Sequence, residues 1–218
     1  MSASDVDQNE AFSATRFRSQ AEPLLLATDA AGSTVAEFGD HTADMRLKFA
    51  MPGGPPKKAA VLIPVVDRGD EATVLLTQRT DHLPSHPGQI SFPGGKVDDE
   101  DATAMNAALR EAEEEIGLTT SHIDVIGNLN PYLSNTGFLI VPVVSIVTPG
   151  FKLVPNEGEV ADIFEVPLKF LMSSRNHQKV SVMLRGQERM VFAMPYHDRY
   201  IWGVTAGILR LLYETVYV

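Results

Sequence analysis

The chain has 218 residues, 44% of them hydrophobic and 21% charged, with a formal net charge of −10 and no cysteine. This is the composition of one globular domain, or one domain plus an extension, and it excludes collagenous, low-complexity and fully disordered chains. The negative charge argues against binding a nucleic-acid backbone, and the lack of cysteine removes disulfides, zinc–thiolate sites and cysteine nucleophiles together.

Residues 1–10 are polar, and the acids Asp5, Asp7, Glu10 and Glu22 leave no room for a secretory signal, so a cytoplasmic protein is expected. Residues 13–26 read as a short helix interrupted at Pro23, and 28–44 carry only weak periodicity. Pro52-Gly53-Gly54-Pro55-Pro56 reads as a linker, dividing a partly flexible extension (1–56) from a compact domain (57–218). Residues 58–66 and 72–78 are predicted strands around the turn Asp67-Arg68-Gly69-Asp70. A loop rich in proline and glycine spans 79–96, and a helix follows over 102–116, closed by Gly117. Strands are expected at 123–129 and 138–147, a short strand and helix within 162–172, a hairpin over 180–193 turning at Gly186-Gln187, and a last helix over 202–216. The longest apolar runs, 59–66 and 138–147, fall far short of the ~20 residues a membrane helix needs. Strands with interspersed helices argue for an α/β or α+β fold.

Chemistry concentrates on the 102–116 helix and the loop before it. Eight of the chain's 28 acids fall between Asp98 and Glu115, against one base, Arg110. Glu111, Glu114 and Glu115 are helical neighbours, and Met105, Leu109, Ala112 and Ile116 form an adjoining apolar stripe. An acidic helix is most often a solvated face. Here the preceding loop, Gly88-Gln89-Ile90-Ser91-Phe92-Pro93-Gly94-Gly95-Lys96, lets backbone approach a ligand closely, although it is not a P-loop. Converging carboxylates beside a packed face are best relieved by a hard divalent cation, magnesium or manganese. Together these features suggest metal-assisted chemistry on phosphates.

The stretch from Gly95 to Leu118, ending Arg110-Glu111-Ala112-Glu113-Glu114-Glu115-Ile116-Gly117-Leu118, resembles the Nudix box G-x5-E-x7-R-E-U-x-E-E-x-G-U. The tail fits, with Ala112 where a larger aliphatic is usual. The front half has one extra residue, so Asp101 or Ala102 stands in place of the first glutamate, depending on the end counted from. Leu75-Leu76-Thr77-Gln78-Arg79-Thr80, followed by Gly88 and Phe92-Pro93-Gly94-Gly95, is similar to the upstream signature of the coenzyme A pyrophosphatase branch, with Thr80 and Pro84 as departures. Pro84 takes the place of the signature's second arginine. Residues 201–206, Ile-Trp-Gly-Val-Thr-Ala, also look like this branch.

The resemblance implies a Nudix α/β/α sandwich with a mixed sheet, plus the N-terminal extension. It implies Mg2+, or Mn2+ as substitute, on Glu111, Glu114, Glu115 and the Gly94 carbonyl, with Arg110 orienting the glutamates. Water would split a diphosphate into two monophosphates, giving phosphopantetheine and 3′,5′-ADP from coenzyme A or its thioesters. ADP-ribose, a dinucleoside polyphosphate or a nucleoside triphosphate remain alternative substrates, as does a nucleotide-binding domain without catalysis. Glu159, in the polar loop Asn156-Glu157-Gly158-Glu159, is the first choice of general base, with Glu114 its rival. Arg79, His86, Gln89, Gly94 and Gly95 are candidate substrate contacts. Trp202 is read as core at the start of the last helix, and Tyr132 as a candidate stacking surface for adenine. The expected partner is a small diphosphate-bearing molecule, with neither nucleic acid nor membrane; the extension could serve a homodimer.

Overall fold

The computed structural model describes residues 11–28, 37–45, 54–184 and 186–218. The segment 1–10, the first part of the Pro/Gly linker and Arg185 at the expected hairpin turn lie outside the described residues. Among the described residues the strands form two sheets. No described helix is long and apolar enough to cross a membrane.

The larger sheet is mixed and nine-stranded. Its centre is β2 (Lys57–Asp67), paired in parallel with β8 (Phe138–Val147) over ten consecutive residue pairs. Strands buried on both faces read as unbroken apolar runs, which is why these two carried the strongest strand signal. Around them lie β1 (Phe38–Gly39), β3 (Ala72–Arg79), β4 (Ile90–Ser91), β5 (Gly94–Lys96), β6 (Ile123–Asn128), β7 (Tyr132–Leu133) and β9 (Val160–Pro167). The 79–96 stretch is therefore not loop alone: it contains β4, paired with β3, and β5, paired with β2. A second, antiparallel sheet joins β10 (Gln178–Leu184), β11 (Gln187–Tyr196) and β12 (Arg199–Trp202). Trp202 thus ends a strand instead of beginning the last helix.

β2 changes partner along one edge. It pairs with β5 over Ala59–Val61 and with β3 over Val65–Asp67. Pro64, which cannot donate a ladder hydrogen bond, falls in the interval between them. Pro142 of β8 likewise falls between the segments paired with β7 and β6.

Side chains of β2 alternate between the two faces. Ala60, Leu62 and Val66 join Leu75, Val143 and Val147 beneath α3 (Ala104–Ile116). Ala59, Ile63 and Val65 join the core beneath α5 (Val204–Tyr217). Two short helices, α2 (Asp40–Ala43) and α4 (Leu168–Leu171), complete the set with α1 (Ala14–Ala21). α1 is capped by Ser13, whose hydroxyl accepts the Arg16 N–H at 3.2 Å, and ends in a 3-10 turn over Glu22–Leu24, where Pro23 sits. Its Ala14, Phe17 and Ala21 are buried in the α5-side core, and Phe12 stacks on Tyr217 at 5.9 Å. The Ala72 amide donates to the Phe12 carbonyl, and Leu26 bridges to Asn128, so residues 11–28 are bound to the sheet by backbone as well as by side chains.

Phe17 is fully buried. Phe17→Ala is expected to cost about 3–5 kcal/mol of stability, read from the urea midpoint. A single cooperative transition should persist, because helix and sheet share one core.

Candidate active site

The acidic helix α3 is set by its caps. Thr103 accepts the Asn106 N–H at 3.1 Å, and Gly117, at φ 68°, ends the helix in the left-handed conformation. Its buried residues are Ala107, Ala108, Ala112, Ile116 and, with them, Glu115. Met105 and Leu109 of the expected stripe are only partly buried. The small alanines let the helix turn toward its carboxylate edge, and this turn carries Glu115 into the interface.

There Glu115 meets the glycine strand. The Gly94 amide donates to Glu115 Oε2 at 3.1 Å, and Arg79 Nη1 lies 4.0 Å from Oε1. A side chain at Gly95 would strike the Glu111 carboxylate, whose Oε1 lies 2.3 Å from the position a Cβ would take. A side chain at Gly94 would strike the Ala60 carbonyl of β2 at 2.4 Å. Gly94 is required by its close approach to the backbone of β2, whereas at Gly95 a side chain would displace the Glu111 carboxylate from the strand. The glycine-rich loop and the acidic helix, linked in sequence only by motif, therefore touch.

Burial, reinforced by the negative charges of Glu111 and Glu159, pushes the Glu115 carboxyl up to about 7; the Gly94 N–H and Arg79 pull the other way. Glu111 is also raised, chiefly by burial, with Arg110 opposing. Glu159 is exposed in its loop, yet close enough for its charge to act on both glutamates. The loop is held against the site by backbone: the Asn156 amide donates to the Glu115 carbonyl at 2.8 Å, and the Thr80 amide to the Glu159 carbonyl at 3.0 Å.

Arg110 is the hub of the exposed side. It grips Asp101 with two hydrogen bonds, Nε at 3.1 Å and Nη2 at 2.9 Å, and its Nη1 reaches Glu111 at 3.2 Å and Glu114 at 3.0 Å. Asp101 is held well below the usual carboxylate range by that pair. Glu114 is turned outward, 58% exposed, toward Arg110 and solvent. Among the described residues no three acidic or histidine side chains converge as they would around an ion. The donor chemistry nevertheless fits a hard divalent cation: two crowded glutamates with raised proton affinity, a third charge nearby, and carbonyl-bearing glycine backbone that no side chain covers.

Two adjoining lobes open beside the glycine strand. The inner, about 300 Å3, is lined by Arg79, Ser91, Gly94, Gly95 and Lys96 over an apolar floor from β2, β8 and α5. Glu111 and Glu115 are not in its lining; they meet it across the glycine strand and through Arg79. The outer, about 670 Å3, is walled by residues 84–87, the 135–136 turn and the β10–β11 hairpin. His86, Gln89, Thr136, Trp202 and Val204 belong to both. His86 and Gln89 are coupled by a 2.7 Å hydrogen bond across a turn in which His86 has φ 57°. Trp202 lines both lobes and does not belong to the core, and Lys96, Thr136 and the hairpin join the lining without a sequence motif that marks them as site residues. Tyr132 cannot stack on a base: it is buried against Gly207 and donates its hydroxyl to Asp40 at 2.8 Å. Aspartate 40 also accepts the Asn135 amide at 2.7 Å, which fixes the 135–136 turn.

A carboxyl raised by folding destabilises the folded state as pH rises, here from about 4.5 to about 7, and contributes nothing below that window. In EDTA, Glu115→Gln should gain stability over the parent by about 2 kcal/mol more at pH 8 than at pH 5.5, measured by urea denaturation. Equal differences at the two pH values would contradict the buried carboxylate.

A model of the NUDIX domain matches residues 56–185. The chain is 45% identical over 156 residues to the Nudix hydrolase NudL of Escherichia coli (strain K12), covering 72% of this chain and 81% of that protein. It is 41% identical over 160 residues to NudL of Yersinia pestis (strain Pestoides F), covering 73% and 80%. Among solved structures, a C. elegans Ap4A hydrolase binary complex aligns at a TM-score of 0.45 with 19% identity, covering 51% of this chain and 80% of that one. Nudix hydrolases use divalent metal cations and cleave diphosphate linkages in nucleoside diphosphate derivatives. Because the matched span runs through the glycine strand and the acidic helix alike, and the bacterial relatives share more than two thirds of their length with it, this chain belongs to the Nudix hydrolase family.

Proposed function

We propose that the protein is a cytoplasmic, Mg2+-dependent hydrolase of coenzyme A or its thioesters, splitting the diphosphate to give phosphopantetheine and 3′,5′-ADP. The observation that carries a phosphate-bearing substrate is Arg79. Its Nε is buried without a hydrogen-bond partner, and its side chain lines the inner lobe with Gly94, Gly95 and Lys96. A buried, unsatisfied guanidinium donor is costly unless an anion completes it. The coenzyme A assignment rests on the two signature stretches, 75–95 and 201–206, which border this same lobe.

In this reading Glu111, Glu114, Glu115 and the Gly94 carbonyl hold Mg2+, with Mn2+ as substitute; the ion, when bound, neutralises phosphate oxygens and makes water more acidic. Arg79 pairs with a phosphate oxygen, while His86, Gln89 and Gly95 border its path. Water attacks one phosphorus and gives up a proton, the bridging P–O bond breaks, and the departing phosphate takes a proton. Glu159 is the first choice to receive the water's proton, and Glu114 the second. Arg110 orients Glu111 and Glu114 through its ion pairs.

Incubation with coenzyme A, dephospho-coenzyme A, ADP-ribose and a dinucleoside polyphosphate, each with Mg2+, tests the assignment. Release of 3′,5′-ADP from coenzyme A is expected; cleavage of another member alone moves the substrate, and no Mg2+-dependent cleavage of any sinks the reading. Arg79→Ala and Glu114→Gln are each expected to lower kcat/KM by roughly 100-fold or more, with the far-UV spectrum unchanged. Full activity in Glu114→Gln would remove that residue from the machinery.

A further inference from the structure

The outer lobe is twice the size of the inner one and contains none of the residues assigned above to metal or proton transfer. Its walls come from three parts of the chain: the loop through Pro84 and His86, the Asp40-anchored turn at Asn135, and the β11 strand through Arg189. Arg189 is its one lysine or arginine among the described residues. The side chain is half-buried and donates to the Gln187 amide oxygen, and it forms no ion pair with any described carboxylate. Asp40, in the same lining, has one oxygen engaged by the Tyr132 hydroxyl and the other by the Asn135 amide. The guanidinium therefore faces a cavity large enough for a nucleotide without a counter-ion among the described residues. Arg110, Arg68 and Arg199 all have one.

The sequence supplies an independent pointer. Pro84 stands where the upstream signature has its second arginine, and Pro84 lines this same lobe. The position that lacks a cation and the strand that offers one face the same space.

We propose that the outer lobe is a second anion subsite, in which Arg189 pairs with a phosphomonoester carried by the half of the substrate distant from the reacting diphosphate. The inference rests on the diphosphate-hydrolase reading for which end reacts. It makes β11, outside the motif-bearing segments, the specificity-determining element. Substrates with a terminal phosphate are preferred over their dephosphorylated counterparts, and guanidinium loss acts on binding instead of turnover.

The test separates the subsite from the reaction. Calorimetric titration of the full chain in EDTA with 3′,5′-ADP and with 5′-AMP compares ligands that differ by one phosphomonoester. The parent should bind 3′,5′-ADP tighter by roughly 10- to 100-fold, the range of a charge-assisted hydrogen bond. Arg189→Gln should bring the two ligands to within about twofold of each other, and Arg189→Lys should retain part of the preference. No preference in the parent, a preference that survives in Arg189→Gln, or equal weakening of both ligands in both variants overturns the subsite. Hydrolysis supplies the second arm: Arg189→Gln should raise KM for coenzyme A, leave kcat near the parent value and leave dephospho-coenzyme A unaffected. If coenzyme A is not cleaved while the binding preference stands, the substrate reading fails and the subsite survives.

Discussion

One hydrogen bond, from the Gly94 amide to the Glu115 carboxylate, joins the strand that borders the cavity to the helix that carries the acids. Gly94 lies tight against β2, where a side chain would strike the Ala60 carbonyl, and α3 packs on the sheet through the small Ala108 and Ala112. A buried carboxylate is expensive, and this one is only partly repaid by a single amide and a distant arginine. Burial therefore disfavours the ionised form of Glu115. A proton or a cation can relieve that cost, so the same contact that ties helix to strand is also the one whose charge is most sensitive to what binds beside it.

The cleft around that contact follows from the sheet. β2 pairs with β5 at one end and β3 at the other, and the inner lobe lies over the β5 end, lined by Ala59 and Val61 with Gly94, Gly95 and Lys96. The prolines in the two central strands sit where a partner changes, so rigid residues occupy positions that need no ladder donor. The second sheet pairs with no strand of the first, yet it puts Phe192, Met194 and Ile201 into the core beneath α5. It builds a wall, and the wall doubles the space beyond the catalytic end.

Arg110 organises the exposed half of the site as Gly94 organises the buried half. Individual exposed ion pairs contribute little to stability. A guanidinium shared among Asp101, Glu111 and Glu114 has a different consequence, since it fixes where their oxygens point. Asp101 occupies the part of the motif where the spacing departs from the Nudix pattern by one residue. Its two hydrogen bonds to Arg110 show that the shorter acid, with the added residue, still reaches the arginine.

Much of this was readable beforehand. The C-cap of α3 at Gly117, the strands 138–147 and 72–78 and the pairing of a glycine loop with an acidic helix all leave local marks, an apolar run or a glycine at a helix end; the Thr103 cap, which starts the helix two residues later than the expected 102, was not read. The rotation of α3 was not readable, because Met105 and Leu109 outrank alanine on any hydrophobic scale, and only packing against β2 and β8 shows that small residues win there. Trp202 was misplaced for a similar reason: the helix periodicity of 204–212 extends back across Gly203, and only the pairing of Ala193 with Trp202 ends it.

The sequence by itself determined the family, the order of its main elements and the identity of the acids, since these depend on residue types at fixed spacing along the chain. Tertiary structure alone decided which glutamate is buried, that Glu114 faces outward, that Tyr132 anchors the Asp40 segment, and that a β11 arginine shares a cavity with Pro84. Apart from the i,i+4 contact of Glu114 with Arg110, those outcomes are set by contacts between residues roughly 20 to 100 positions apart, and burial and field strength exist only once such contacts form.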